Sequence, residues 1–237
     1  LFAAGAGDRV VGAVEHSDFP AEARAIPRIG SYVGVNLEAL LEVRPDLVVA
    51  WADGNRPRDI RRIRELGIPV FLSGPRSLED IAESIRDLGR LTGNAESAGQ
   101  TADRFLARLD ALRQRAAGRS LRVFYEVWNQ PVTTLNGDQL VSRVIELCGG
   151  RNVFAHLDPP APQVGVESVV QADPEVILIG GHRKERAGWA HTWEAWPRMA
   201  AVANGQVRFV NPDLLQRYGP RILDGAERVC ELLDEAR

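Results

Sequence analysis

The sequence predicts an α/β protein of two lobes, each built on a mainly parallel sheet covered by helices. One long bridging helix joins them, and a ligand cleft lies between. Three observations carry the prediction. Apolar β-branched runs alternate with helix-period segments, one segment recurs along the chain, and an unbroken amphipathic stretch separates the two copies.

Taken in order, residues 1–4 followed by Gly5 read as the last turn of a helix closed by a glycine cap. Residues 10–14 read as the next strand, so an opening strand and most of a helix are expected to precede Leu1. Residues 47–50 and 70–72 are short buried strands flanking an amphipathic helix at 60–66, and 78–91 is a further helix. Residues 93–117 place Phe105, Leu106, Leu109, Leu112 and Ala116 at helical spacing on one charged helix of roughly 24 residues, about 36 Å long. That length can span two lobes. Strands at 121–127, 176–179 and 207–210 follow, with helices at 141–148 and 222–236. The expected organisation is an N-terminal lobe at 1–92, a bridging helix at 93–117 and a C-terminal lobe at 118–237.

The repeat is the most informative feature. Residues 36–50 align without a gap on residues 165–179, at an offset of 129 that carries Glu38 onto Glu167 and Pro45 onto Pro174. Each copy sets a Glu in the first turn of a short helix, ends that helix before a Pro that cannot continue the hydrogen-bond ladder, and enters a strand. The next strands correspond too, 67–72 with 205–210 at an offset of 138, the nine extra residues lying around the Trp-rich stretch 188–198. A helix, turn, Pro, strand phrase recurs by chance in α/β chains. The matched Glu and the matched order of three elements favour duplication.

Composition narrows the function. With 45% hydrophobic and 26% charged residues the chain can bury a core, and no apolar run approaches the ~20 residues of a membrane-spanning helix. A net charge of -3 gives no reason to expect nucleic acid or an acidic membrane as partner. No G-x-S-x-G, phosphate-binding loop, G-x-G-x-x-G or H-E-x-x-H is present, and His16, His156, His182 and His191 lack ligand spacing. No catalytic residue, metal or cofactor is expected. Cys148 and Cys230, 82 positions apart, are either two buried thiols or a disulfide.

Aromatic and polar residues do collect just past the strand ends, where open parallel sheets bind ligands. His16-Ser17-Asp18-Phe19-Pro20, Trp51, Trp128-Asn129-Gln130-Pro131, Gly180-Gly181-His182 and residues 213–218 are the segments concerned. Together they describe a pocket for a large, flat or partly apolar ligand. Trp193 and Trp196, at i and i+3, read as core or lip packing. For Glu38 or Glu167 alone, the helix dipole is a sufficient reason, worth roughly 0.3 to 1 kcal/mol. As a matched pair they suit two basic groups of a symmetric partner.

Residues 17–20, Gly34-Val35-Asn36-Leu37-Glu38, residues 44–51 with Gly54-Asn55, residues 147–154, Pro162-Gln163-Val164 with Glu167, Asp213 with Arg217, residues 220–222 and Cys230 resemble one family. It is that of the periplasmic cobalamin-binding proteins of ABC-type importers, among the periplasmic binding proteins with a rigid bridging helix. The resemblance runs nearly end to end. It implies capture of cobalamin or a related corrinoid, without chemistry, and delivery to a dimeric membrane permease whose arginines meet Glu38 and Glu167. It places Trp51, Asp213 and Arg217 on the ligand, with His16, Asp18, Tyr32 and Trp128 completing the set. It also implies a Cys148–Cys230 disulfide, hence the oxidising periplasm or a lipid-anchored membrane face, and a monomer. The chain departs from the family where His16 replaces a pocket Tyr, Tyr32 a Trp and Ala161 another Trp, a volume that Trp128 is expected to refill. Haem or an iron siderophore is the alternative ligand. An enzyme using a hydrogen-bonded His16/Asp18 pair is the reading from another class.

Overall fold

The structure, a computed structural model, describes residues 1–31, 33–115, 119–182 and 184–237. They divide into two compact units, Leu1–Pro75 with Ala82–Asp103 and Arg76–Ile81 with Arg104–Arg237.

The first unit opens on a 3₁₀ turn, Phe2–Ala4, closed by Gly5 at φ 78 as expected. Short 3₁₀ turns follow at Gly7–Arg9 and Ala21–Ala25. A small antiparallel hairpin, β1 (Gly30–Ser31) and β2 (Gly34–Val35), leads into α1 (Leu37–Glu42). Asn36 starts that helix, its side chain accepting from the Glu38 and Ala39 amides. Next come β3 (Val48–Trp51), α2 (Pro57–Glu65) with Pro at its first position, and β4 (Val70–Ser73). The strands β3 and β4 pair in parallel, Val48 opposite Val70 and Trp51 opposite Ser73. Helix α3 (Leu78–Leu91) contributes residues 82–91 to this unit, and the long helix α4 (Ala95–Arg115) contributes residues 95–103.

The strand expected at 10–14 does not form. Only Ala13 bridges, to Arg28, and Val11 and Val14 are exposed. The bridge itself is complete, Ala13 donating to Pro27 O and Ile29 donating to Ala13 O, but Pro27 has no amide to give Val11 O, so the ladder does not extend toward residue 10. The segment instead lines a cavity of about 260 Å³ with Ile29, Leu40, Val43 and Leu47, and with Arg9, Arg44 and Asp46.

The second unit holds β5 (Leu121–Glu126), β6 (Trp128–Asn129), β7 (Val132–Thr133), α5 (Leu140–Leu147), β8 (Gly150–Asn152), α6 (Val166–Ala172), β9 (Val176–Ile179), α7 (Arg186–Glu194), α8 (Ala200–Ala203), β10 (Val207–Phe209), α9 (Pro212–Leu215) and α10 (Ile222–Glu235). Four of these strands make a parallel sheet in the order β10-β9-β5-β8. On one side Phe124, Ile177 and Ile179 pack with Phe154, Val169, Trp189, Trp193 and Met199. Phe124 meets Phe154 and Trp193 edge to face at 5.8 and 5.4 Å, the geometry that ring quadrupoles favour. Cys148, at the end of α5, is disulfide-bonded to Cys230 on α10.

The repeat extends to the backbone. Arg44 and Asp173, equivalent at offset 129, both adopt positive φ, at 43 and 42, directly before Pro45 and Pro174. Gly67 and Gly205 match at φ 78 and 65. The gapless match of the second strands needs one correction. Val48 donates to Pro69 O but Ile177 donates to Gln206 O, so the strands correspond at an offset of 137 while the glycines correspond at 138. The second copy enters its ladder one residue sooner after the glycine.

Candidate functional site

In the first unit, Trp51 ends β3 with its ring 52% exposed. Three local features hold it there. Its amide donates to Asn55 Oδ1 at 2.6 Å, its carbonyl accepts from the Gly54 and Asn55 amides, and its ring lies directly on Gly54. A Cβ at Gly54 would come within 1.8 Å of that ring, so only glycine permits this pose. The Gly-Asn pair after the strand is therefore a ring support.

His16 sits at φ 66 in an exposed turn. It makes no hydrogen bond among the described residues, so the expected bond to Asp18 is absent and the acid-base pair loses its geometry. Asp18 is half-buried, its carbonyl accepting from Arg24 Nε, and Phe19 is 55% exposed ahead of a cis peptide to Pro20. Tyr32 lies outside the described residues. Glu38 is exposed in the first turn of α1.

In the second unit the strand ends converge. Trp128, 52% exposed, packs edge to face on buried Trp189 at 5.9 Å, and its indole donates to Gln130 O beside the cis Gln130–Pro131 bond. Trp189 covers Gly181, where a Cβ would stand 3.1 Å from the ring. Gly180 packs against the Tyr125 hydroxyl, to which Gln216 Nε2 donates at 3.0 Å. Through Gln216, the end of β5 is tied to the turn carrying Asp213 and Arg217, which form an ion pair at 2.8 Å. Asn211 caps that turn by accepting from the Asp213 amide, and Tyr218 donates to Gln139. Of the expected ligand residues, Asp213 and Arg217 thus stand together. Trp128 is linked to them only indirectly, through Trp189 on Gly181 and the neighbouring Gly180 on Tyr125.

One residue escaped the sequence reading. Glu126, the last residue of β5, is fully buried, its carboxylate accepting from Asn129 Nδ2 and Trp193 Nε1, each at 2.8 Å. Burial raises its pKa, against the lowering effect of those two bonds. The indole can only donate, whereas the Asn129 amide can present either N–H or C=O, so the cluster accommodates both the charged and the neutral carboxyl. It locks β5, the β6–β7 hairpin and α7 beneath the Trp128–Trp189 pair. The available signal was an acid directly after the apolar run Val123-Phe124-Tyr125. Trp193 is fully buried and Trp196 packs partly buried on the same core, as expected.

Glu167 is exposed in the first turn of α6, as Glu38 is in α1. His182 and His191 are exposed, the latter beside Glu194, and among the described residues no group of three or more His, Cys, Asp or Glu lies close enough to hold a metal. No described helix is long and apolar enough to cross a membrane.

Comparison with known proteins places this geometry. A family model described as periplasmic binding protein matches residues 1–214. The vitamin B12-binding protein of Vibrio cholerae serotype O1 is 38% identical over 238 residues, covering all of this chain and 85% of the relative. That of Vibrio parahaemolyticus is 33% identical, with 100% and 86% covered. The crystal structure of the periplasmic vitamin B12 binding protein BtuF of Vibrio cholerae superposes with a TM-score of 0.93 at 38% identity, covering 99% of this chain and 92% of that one. The periplasmic heme-binding protein RhuT from Roseiflexus, at 22% identity and a TM-score of 0.87 over 99% and 93%, shares the fold.

Proposed function

Because the chain belongs to the periplasmic binding protein family, we propose that it captures cobalamin or a related corrinoid in the periplasm and hands it to an ABC importer. The observation that carries this reading is the 38% identity, over the whole chain, to a vitamin B12-binding protein. Each unit adds a half-exposed indole held by its own local support, Trp51 by Gly54 and Asn55, Trp128 by Trp189. Flat apolar rings of this kind suit a corrin face, and the Asp213–Arg217 pair offers both a donor and an acceptor to its amide side chains.

On this reading the protein is a monomer that performs no chemistry, on its own or lipid-anchored at a membrane face. Glu38 and Glu167, exposed at equivalent positions of the repeat, are the acids that meet two equivalent basic groups of a permease dimer. Haem as ligand is supported by likeness in fold alone.

Titration with cyanocobalamin, followed by tryptophan quenching, tests the reading. Saturable binding at micromolar concentration or tighter is expected. Absence of binding together with a saturable haem Soret shift would transfer the assignment to haem. The double variant Glu38→Ala/Glu167→Ala is expected to keep corrinoid affinity and to lose transport in a reconstituted importer.

A further inference from the structure

The net charge of -3 conceals a basic surface. Arg56 and the helix behind it, α2, carry five arginines (56, 58, 61, 62 and 64) against two acids, Asp59 and Glu65. Ile60 and Ile63 turn inward and are buried, which sends Arg58, Arg61 and Arg62 to the opposite, exposed side of the helix. Five arginines elsewhere are engaged, Arg86, Arg108, Arg113, Arg122 and Arg228 each holding two carboxylates. Among the described residues none of the five around α2 has an ion-pair partner.

Three of them, Arg56, Arg58 and Arg62, join Arg28 around a wide, shallow groove of about 570 Å³, in which Glu15 and Asp59 are the acids. The groove is also lined by Asn36, the cap of the helix that presents Glu38.

We propose that this face is a membrane-contact surface that binds anionic phospholipid headgroups. Guanidinium groups match phosphate oxygens two at a time, and exposed arginines without partners keep that capacity unspent. A groove this open fits a planar array of phosphates better than one enclosed ligand. Its position beside Asn36 and Glu38 rests on the importer reading, which sets the Glu38 end of the unit against a membrane-embedded permease. The acidic balance of the whole chain does not oppose this, because screening confines each charge to about 8–10 Å at physiological salt.

The test is co-sedimentation of the full chain with vesicles of phosphatidylcholine alone and of phosphatidylcholine with about 30% phosphatidylglycerol. Binding to the anionic vesicles only, suppressed by about 0.5 M salt and weakened at least tenfold in Arg58→Gln/Arg61→Gln/Arg62→Gln, supports the proposal. Equal partition into both vesicles, or undiminished binding by the triple variant, overturns it. Competition of inorganic phosphate at low millimolar concentration would show a small-anion site and also overturn it. So would an equal loss of affinity for a lipid-free, detergent-solubilised permease, which would assign the arginines to an acidic protein surface. Cyanocobalamin titration of the native chain and the triple variant separates the two readings: vesicle binding that fails while corrinoid affinity holds removes this inference and leaves the proposed function standing.

Discussion

The two copies of the repeat share a backbone and differ in what they are fastened to. In the first unit β3 is half-exposed, with only Ala50 buried, and among the described residues it pairs with β4 alone. In the second, every residue of β9 is fully buried between β10 and β5. The turns before the strands differ in the same sense. Arg44 and Asp46 are exposed, while their counterparts Asp173 and Glu175 act as staples. Asp173 accepts from the Ala200 amide at 2.8 Å, and Glu175 accepts from the Arg122 amide at 2.9 Å. Burial pushes the Glu175 carboxyl up, yet the Arg122 amide and the Arg119 and Arg122 guanidiniums hold it below the ordinary range. Duplicated local sequence therefore reproduces dihedral angles, and the surroundings decide how much stability they bring.

The contrast can be broken most severely at the disulfide, which only the second unit has. Replacing Cys148 and Cys230 with Ser is expected to cost about 4 kcal/mol for a loop of this span. In hydrogen exchange the amides of α5 and α10 should lose protection, while β3 and β4 should keep theirs. Equal losses in both units would mean that they unfold as one.

Glu126→Ala comes next, at about 3 kcal/mol, because it strands two buried donors, Asn129 Nδ2 and Trp193 Nε1. Glu126→Gln should cost less and change the pH response. The folded pKa of Glu126 is raised, so the native state holds this proton more firmly than the unfolded chain. Its contribution is present below the ordinary value of 4.5 and is lost as pH rises through the elevated folded pKa. Denaturant midpoints of native protein and Glu126→Gln across that range should converge at low pH and part as pH rises. Parallel curves would place the titration elsewhere.

The indoles sharpen the comparison at the level of binding. Trp51→Ala and Trp128→Ala should each weaken corrinoid affinity about tenfold in calorimetric titration. Trp51→Ala should leave stability within about 0.5 kcal/mol, since its ring is half in solvent. The smallest effect is also the most direct probe of the repeat. Arg44→Gly should stabilise by up to about 1 kcal/mol in urea melts by relieving a positive φ. Asp173→Gly, which relieves the same φ, should destabilise by a similar amount through loss of its bond to Ala200.

Much of this was legible in the sequence for physical reasons. Proline and glycine mark most of the unusual backbone positions, so the repeat at Pro45 and Pro174 could be read directly. The stretch from Ala95 to Arg115 shows its helical period over many turns, and β9 is an uninterrupted apolar run. Hidden features depend on distant partners. The failure of residues 10–14 as a strand traces to Pro27, next to the Arg28 that faces Ala13, because it has no amide to give Val11. Glu126 acquires its role from Trp193, 67 positions on. The two-residue strands of both hairpins are too short to show a period. At the candidate site the ring-bearing positions were visible, whereas the supports beneath them required coordinates.

The ring of Trp51 resting on Gly54 has an optical consequence. It is the one tryptophan in residues 1–103, the other four lying beyond residue 127. Tryptophan emission from the first unit therefore comes from a single indole, at the end of β3. Subtracting the spectrum of Trp51→Phe isolates that signal, so arrival of an absorbing ligand at this unit can be timed separately from its arrival at the other.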